Sequence, residues 1–307
     1  MLSLVILLLI IILYLLYRYS SVNENYENIK LDIGNMLCTY YCNLVISILK
    51  KEDFHYSNEG YVSDATHVSN KSPFLDNLPK FIKFNENTYN QFVNNDISID
   101  DIDQTGFGFW LVTSRKYEII HKIMKPTMHS ILNDLFTKLN LIKNVPYPVI
   151  HFRCADTPFV RLELYYFQRY EYFLKAMSYI ENELGIVTDI TILACFDHLS
   201  NEDNKKSCNR YVNLLKEKLN YNVHIECNSN VDDFATLFYA PAVISTLSSF
   251  SFMAGYFGNG IYIQPRQMVS ENEKCNDCEN TFSNYNIPHN KVTDYHDVDA
   301  VYKLLNS

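Results

Sequence analysis

Residues 149–156 read VIHFRCAD, a short apolar run of the buried-strand type that ends in histidine, arginine and aspartate. In an open sheet of parallel strands, ligands bind at the carboxyl ends of the strands. Arg153 offers a planar fork of donors that suits a diphosphate. A structural ion pair between Arg153 and Asp156 at the strand end is the alternative that these residues alone leave open.

The sequence after this strand alternates between strand-type and helix-type patterns. Such alternation at short intervals predicts a parallel sheet whose strands are joined by helical crossovers. The predicted strands are 149–153, 189–196, 223–226, 242–245 and 261–264, and the predicted helices are 165–183, 207–219, 232–239, 249–257 and 297–305.

The sequence before this strand has a weaker pattern. The pattern predicts a short strand at 29–31, then Gly34-Asn35 and an amphipathic helix. Many nucleotide-binding α/β domains begin in this way. Residues 52–104 predict loops and short elements, and residues 115–141 predict a helix that is broken before Pro126.

The stretch from Ser3 to Tyr19 is apolar except for Arg18 and is long enough to span a bilayer at the short end of the usual range. An uncleaved anchor is favoured over a signal peptide because no basic residue precedes the run and no small-residue cleavage site follows it. Arg18 on the C-terminal side favours a cytosolic main domain by the positive-inside rule.

Composition excludes some functions and leaves others open. A net charge of −9 argues against a nucleic-acid-binding surface. The eight cysteines lack the dense spacing of a disulfide scaffold. Cys275 and Cys278 form a single CxxC, which supplies two of the four ligands that a zinc site needs. A local disulfide or two free thiols is therefore expected there, and no metal site is predicted.

A second chemical signal lies at residues 242–251, AVISTLSSFS, where a predicted strand runs into serines at the start of a helix. Serine hydroxyls, exposed N–H groups and the helix dipole together make an anion site. Ordinary helix capping by serine is the alternative. The acidic pair Asp232-Asp233 begins the preceding helix and has the same two interpretations.

Four short motifs follow one another along the chain: Gly34-Asn35, His151-x-Arg153-x-x-Asp156, Asp232-Asp233 and Ser248-Ser249-Phe250-Ser251. In this order they resemble the motifs of the α1,2-, α1,6- and protein O-fucosyltransferases, and the α1,2-type most. The resemblance covers about residues 30–265. Where that family has a glutamine and a second arginine, this chain has Met36 and Cys154.

The resemblance implies an inverting glycosyltransferase of the GT-B fold, in which two Rossmann-like domains face each other across a cleft. It implies GDP-fucose as the donor substrate, a glycan or glycoprotein as the acceptor, and no metal or other cofactor. The expected organisation is a membrane anchor at 1–19, a stem at 20–28, an N-terminal acceptor-side Rossmann-like domain at 29–142, a linker at 143–148, a C-terminal nucleotide-sugar domain at 149–290 and a closing helix at 291–307.

The resemblance also implies roles for individual residues. Arg153 would hold the β-phosphate and neutralise charge on the departing GDP. The resemblance assigns no general base; Asp156 is a candidate only because it neighbours Arg153, and a carboxylate beside arginine has a low pKa and is a weak base. The serines would contact the diphosphate or order the loop around it. The expected donor-binding residues are His151, Arg153, Asp233, Ser248, Ser249, Phe250 and Ser251, and Gly34 and Asn35 are expected to line the cleft.

Two further functions stay open at this stage. One is the same fold acting on another nucleotide sugar, and the other is a membrane-bound protein that binds glycans or nucleotide sugars without transferring them. Cys154 in place of the second arginine keeps both alternatives open. Membrane-anchored enzymes of this kind have lumenal catalytic domains, so the resemblance predicts an ER- or Golgi-type membrane with the domain in the lumen, against the charge of Arg18.

Overall fold

The computed structural model of the 307-residue protein describes residues 33–56, 73–102, 115–154, 159, 167–196, 201–265 and 298–306. The predicted anchor at 3–19, the predicted strand at 29–31, Asp156 and the Cys275–Cys278 pair lie outside these ranges. Within the described ranges, no helix combines the length and apolar character that crossing a bilayer requires.

The described residues form helices and short strands that alternate in the second half of the chain. The helices are α1 (Ile33–Lys50), α2 (Pro73–Asp76), α3 (Glu86–Asn94), α4 (Arg115–Lys138), α5 (Tyr170–Leu184), α6 (Glu202–Lys218), α7 (Asn230–Tyr239), α8 (Ser249–Ser251), which continues as a π-helix over Phe252–Tyr256, and α9 (Val298–Asn306). The strands are β1 (Phe54–His55), β2 (Phe81–Ile82), β3 (Val149–His151), β4 (Asp189–Leu193), β5 (Asn222–Glu226), β6 (Ala242–Ser245) and β7 (Ile261–Ile263).

Strands β3 to β7 form a parallel sheet in the order β5-β4-β3-β6-β7. This order is that of a Rossmann-like sheet, in which the chain first builds outward in one direction and then returns to the centre to build in the other. The predicted α/β class and all five predicted strands of this sheet are confirmed. Among the described residues before Val149, the only sheet is the two-residue antiparallel ladder of β1 and β2. The second Rossmann-like domain of a GT-B fold therefore stays a prediction.

Helices cover both faces of the parallel sheet because its strands alternate apolar side chains from one face to the other. Val149, Val243 and Tyr262 point to one core, whereas Ile150, Ile244 and Ile263 point to the other. The first core is shared with α1, α4, α7 and the π-helix, and the second with α5, α6 and α9. The described N-terminal helices thus pack directly on one face of the sheet. Both halves of the chain contribute to the first of these two cores.

Helix α4 runs unbroken through Pro126, so the predicted break before this proline was wrong. A proline within a helix removes one N–H and leaves the carbonyl four residues earlier, here that of Lys122, without its helical partner. Pro126 and Lys122 both lie on the exposed side of the helix, where the carbonyl is open to solvation by water. Met124 and Met128 are fully buried on the opposite side, and their packing holds the helix together.

Candidate functional site

The candidate site lies where the strand order of the sheet reverses, between the carboxyl ends of β3 and β6. In open α/β sheets this reversal leaves a crevice because the connections from the two strands leave on opposite faces. His151 and Ser245 are paired in register at these two strand ends. The described part of the first stretch that the sequence singled out, 149–154, is therefore a neighbour in space of the second, 242–251.

Thr246 joins the two strand ends. Its N–H and its hydroxyl both donate to the carbonyl oxygen of His151, each over 3.2 Å. The hydroxyl oxygen also accepts the backbone N–H of Arg153 over 2.9 Å. These bonds fix the backbone of Arg153, whose side chain is half-buried, beside the loop that follows β6. Sequence reasoning missed Thr246, although it lies within the stretch 242–251.

The serines of the second stretch are held by bonds inside the loop. Ser248 accepts the N–H of Phe250 over 3.2 Å, and the hydroxyls of Ser245 and Ser251 lie 2.6 Å apart. Ser245 also accepts the N–H of Leu247, whose φ of 74° is a strained conformation for a leucine. Ser248, Ser249 and Ser251 are at most 1% exposed. These bonds order the loop, and direct contact of the serines with a diphosphate stays a prediction.

The start of α1 is seated on this loop. Gly34 lies so close that a Cβ atom on it would come within 2.4 Å of the backbone nitrogen of Phe250. The neighbouring Asn35 accepts a hydrogen bond from the Ser249 hydroxyl over 2.7 Å. The structure thus places Gly34 and Asn35 against the serine loop as part of the first turn of a helix, and their role in lining a cleft stays a prediction. Met36 is buried in the core and does not face the site.

His151 and Phe250 form an aromatic wall of the site. Their rings stack with centroids 5.5 Å apart, and Phe250 in turn packs edge-to-face on Phe234 at 5.1 Å. Burial, together with the nearby charge of Arg153, lowers the pKa of His151 to about 3, so the imidazole is neutral at physiological pH. Its buried Nδ1 atom has no hydrogen-bond partner within the described part of the chain.

The two aspartates at the start of α7 differ in role. Ser229 caps the helix by accepting the N–H of Asp232, and Asp232 forms an ion pair with Lys143 at 3.1 Å. Asp233 is 7% exposed, and its Oδ1 accepts a hydrogen bond from Asn228 over 3.1 Å. Burial raises the pKa of Asp233 to about 6, against the hydrogen bond from Asn228 that lowers it. Capping therefore explains Asp232 and leaves the buried carboxyl of Asp233 to be explained.

Two disulfides lie at the same edge of the sheet. The spacing of the cysteines in the sequence did not predict them. Cys154 is bonded to Cys208 of α6, and Cys195 at the end of β4 is bonded to Cys227 at the end of β5. Cys154 is 3% exposed, so its side chain is turned into the core. The Cys195 sulfur lies 3.5 Å from Oδ2 of Asp233. Cys38 and Cys42 are buried and belong to neither of these disulfides.

The described residues contain no cluster of three histidine, cysteine, aspartate or glutamate side chains that would hold a metal ion. Of the predicted site residues, Asp156 is the one that the structure does not describe. Those brought together around the ends of β3 and β6 are Gly34, Asn35, His151, Arg153, Ser248, Ser249, Phe250 and Ser251, with Asp233 on the adjoining helix α7.

Comparison of the chain with models of protein families, with curated proteins and with solved structures found no match.

Proposed function

We propose that this protein is an inverting glycosyltransferase that transfers fucose from GDP-fucose to a hydroxyl group of a glycan. The observation that carries the proposal is the convergence of separate sequence motifs at the carboxyl ends of β3 and β6. Arg153 and His151 follow β3, the serine loop follows β6, and Asn35 reaches that loop from the start of α1. A crevice at the reversal of a Rossmann-like sheet is the usual place for a nucleotide.

In this reaction the acceptor oxygen attacks C1 of fucose, the bond from C1 to the β-phosphate oxygen breaks, and the acceptor proton passes to a base. The departing GDP gains negative charge, which a guanidinium neutralises with two parallel hydrogen bonds. Arg153 is the residue proposed for this role because its backbone is fixed at the crevice by Thr246. Asp156 remains the proposed base.

The buried carboxyl of Asp233 supports a guanine nucleotide. Guanine presents two adjacent N–H donors on one edge, N1–H and N2–H, and a carboxylate accepts both. Asp233 lies beside Phe234, whose ring contacts Phe250 and through it the His151 ring. Asp233 also lies 3.5 Å from the Cys195 sulfur just after β4, so the proposed base site is at the same edge of the sheet as the proposed diphosphate site.

The two disulfides support a lumenal location for the sheet domain. Disulfides form and persist in oxidising compartments and are rare in the cytosol. Cys154–Cys208 and Cys195–Cys227 both lie within the Rossmann-like sheet and its helices. With residues 3–19 as the proposed anchor, the protein would be a single-pass membrane protein of an ER- or Golgi-type membrane.

The experiment that tests this function uses the full-length protein and two readouts. Thermal unfolding is followed with GDP, UDP and CDP, and release of GDP from GDP-fucose is followed with a mixture of glycan acceptors, with and without EDTA. We expect GDP to stabilise the protein most, by mass action on the folded state, and GDP release to depend on acceptor but not on added metal.

Three results would count against the proposal. Equal stabilisation by UDP would place the protein with another nucleotide sugar. GDP binding without acceptor-dependent release would make it a nucleotide-sugar-binding protein. Activity that is lost in EDTA and restored by Mn²⁺ would contradict the metal-independent mechanism.

A further inference from the structure

The residues on both sides of Arg153 are anchored to the same helix. Phe152 stacks on the ring of Tyr211 in α6, with centroids 4.8 Å apart and planes at 15°. Cys154 is bonded to Cys208, which lies one turn before Tyr211 on the same helix and is fully buried. Arg153 therefore sits between two attachments to α6, and its own N–H is held by Thr246 from the other side.

These anchors lie where the regular structure ends. Strand β3 stops at His151, and the last sheet-like bond of this segment is from the Phe152 N–H to the carbonyl of Leu193, at 3.0 Å. Arg153 and Cys154 therefore lie beyond the end of the strand. The Cys154–Cys208 bond spans 54 residues of sequence and is the covalent link that replaces the sheet at this position.

We propose that the Cys154–Cys208 disulfide positions Arg153 for contact with the donor diphosphate, so that the proposed transfer requires this pair to be oxidised. The inference rests on the proposed function and adds a positioning element to it. Cys154 occupies the place of the second arginine of the family motif, but it is buried and bonded and cannot supply charge. Its contribution is to hold Arg153 in place. Such positioning matters because misplacing a catalytic group by about 1 Å costs about 10²-fold in rate.

A double-mutant cycle with Arg153 tests this proposal in the full-length protein. The disulfide is removed by Cys154→Ala with Cys208→Ala, alone and combined with Arg153→Ala. GDP affinity is measured by calorimetry, and kcat and KM are measured for GDP release from GDP-fucose. We expect loss of the disulfide to lower kcat about tenfold or more in the wild-type background and less than about twofold when Arg153 is absent, because both changes then remove the same interaction.

The second disulfide provides the matched control. Cys195→Ala with Cys227→Ala removes an equivalent bond at the same edge of the sheet, without touching the residues beside Arg153. This control pair should lower kcat by the same factor whether or not Arg153 is present, because independent effects on a rate multiply. A general effect of disulfide loss on folding would make both pairs multiply with Arg153→Ala, and that result would overturn the proposal.

Other outcomes are equally decisive. Alkylation of Cys154 in the native, unreduced protein would overturn the proposal, as would an unchanged kcat. Cys154→Val with Cys208→Ala is made in parallel to fill the space of the two sulfur atoms. Cooperative unfolding is checked first. If neither Cys154→Ala with Cys208→Ala nor Cys154→Val with Cys208→Ala unfolds cooperatively, the Cys154–Cys208 disulfide is a folding element and the positioning proposal is overturned. If Arg153→Ala itself alters neither GDP affinity nor kcat, the proposed function fails and the positioning proposal fails with it. Dependence on Arg153 without dependence on the disulfide removes the positioning proposal alone.

Discussion

The hydroxyl of Ser249 donates a hydrogen bond to Oδ1 of Asn35 over 2.7 Å, although the two residues are 214 positions apart in the chain. Ser249 is 1% exposed, so water cannot replace this bond. The bond joins the first turn of α1 to the loop after β6, and it makes the N-terminal half of the described chain part of the candidate site.

Two replacements of Asn35 should distinguish its contribution to folding stability from the effect of charge on GDP binding. We expect Asn35→Ala to lower the free energy of unfolding by about 1–2 kcal/mol, because the buried Ser249 hydroxyl loses its acceptor. Asn35→Asp keeps an acceptor of the same shape and should be nearly as stable as the wild type. Its negative charge should weaken GDP binding about fivefold, which corresponds to roughly 1 kcal/mol, the repulsion of two unit charges about 4 Å apart in water.

Asn43 provides the control for that experiment because it is exposed on the same helix, about two turns further along. Asn43→Asp adds the same charge away from the site and should leave GDP affinity unchanged. Equal weakening by both substitutions would mean that the effect of Asn35→Asp comes from net charge. Unfolding by urea and GDP titration by calorimetry provide the two measurements.

The close approach of Gly34 to the serine loop makes a second prediction about stability. In a helix, alanine is intrinsically about 1 kcal/mol more favourable than glycine. At Gly34, however, the added Cβ would lie 2.7 Å from both the Phe250 Cα and the Ser249 Oγ. We expect Gly34→Ala to destabilise the protein by about 2 kcal/mol or more, since overpacking a rigid backbone contact forces α1 away from the loop. Asn43→Ala on the same helix should be neutral or slightly stabilising. A Gly34→Ala variant as stable as the wild type would show that the contact is loose.

The parallel sheet could be predicted from the sequence because each of its strands is a short apolar run between helix-type segments. Val149-Ile150 and Ala242-Val243-Ile244 are examples, and the polar residues after them identified the edge that carries the site. The bond between Asn35 and Ser249 and the disulfide partner of Cys154 could not be predicted. Both depend on how α1 and α6 pack on the sheet, and no local pattern encodes a contact between distant segments. Pro126 shows the same point, since buried methionines outweigh the local preference of proline to end a helix.

The neutral state of His151 makes folding stability depend on pH. Because its pKa is about 3 in the folded protein and 6.5 in the unfolded chain, the unfolded chain binds an extra proton between these values. The stability that this group contributes is therefore present above pH 6.5 and is lost as pH falls toward 3. Between pH 7 and pH 5 we expect a loss of about 2 kcal/mol. His151→Phe retains a ring to stack on Phe250 and should abolish this component, as measured by urea unfolding at pH 7, 6 and 5. An identical pH dependence in the variant would mean that His151 titrates normally.

The raised pKa of Asp233 predicts that GDP affinity depends on pH. Its pKa of about 6 means that the carboxyl is mostly protonated at pH 5 and ionised at pH 7.5. If the ionised form accepts the guanine N–H groups, its contribution to GDP affinity should rise about tenfold over this range, in proportion to the ionised fraction. Asp233→Asn should remove that contribution and leave only the titration of the GDP phosphate, which both proteins share. Asp232→Asn is the control, because Asp232 pairs with Lys143 instead. Parallel pH curves for the wild type and Asp233→Asn would exclude Asp233 from the base site.

The last prediction concerns Arg153, on which the proposed mechanism depends most. We expect Arg153→Ala to lower turnover by about 10²-fold or more, the scale for removing one donor that stabilises the transition state. Arg153→Lys should restore little, because the point charge of an ammonium group cannot reproduce the two parallel bonds of a guanidinium. Both variants should melt close to the wild type, since the side chain is only half-buried and the backbone bond to Thr246 is unaffected.

A purely structural role for Arg153 makes the opposite forecast, and melting temperature and turnover measured on the same preparations separate the two. If Arg153 only pairs with a neighbouring carboxylate at the strand end, Arg153→Ala should be destabilised while each folded molecule keeps normal activity. Lys175→Ala, which removes one positive charge from an exposed ion pair on α5, controls for a general effect of charge. A well-folded Arg153→Ala protein with near-normal transfer would remove the main support for the mechanism, because Thr246 and the Cys154–Cys208 bond would then hold in place a residue that the reaction does not use.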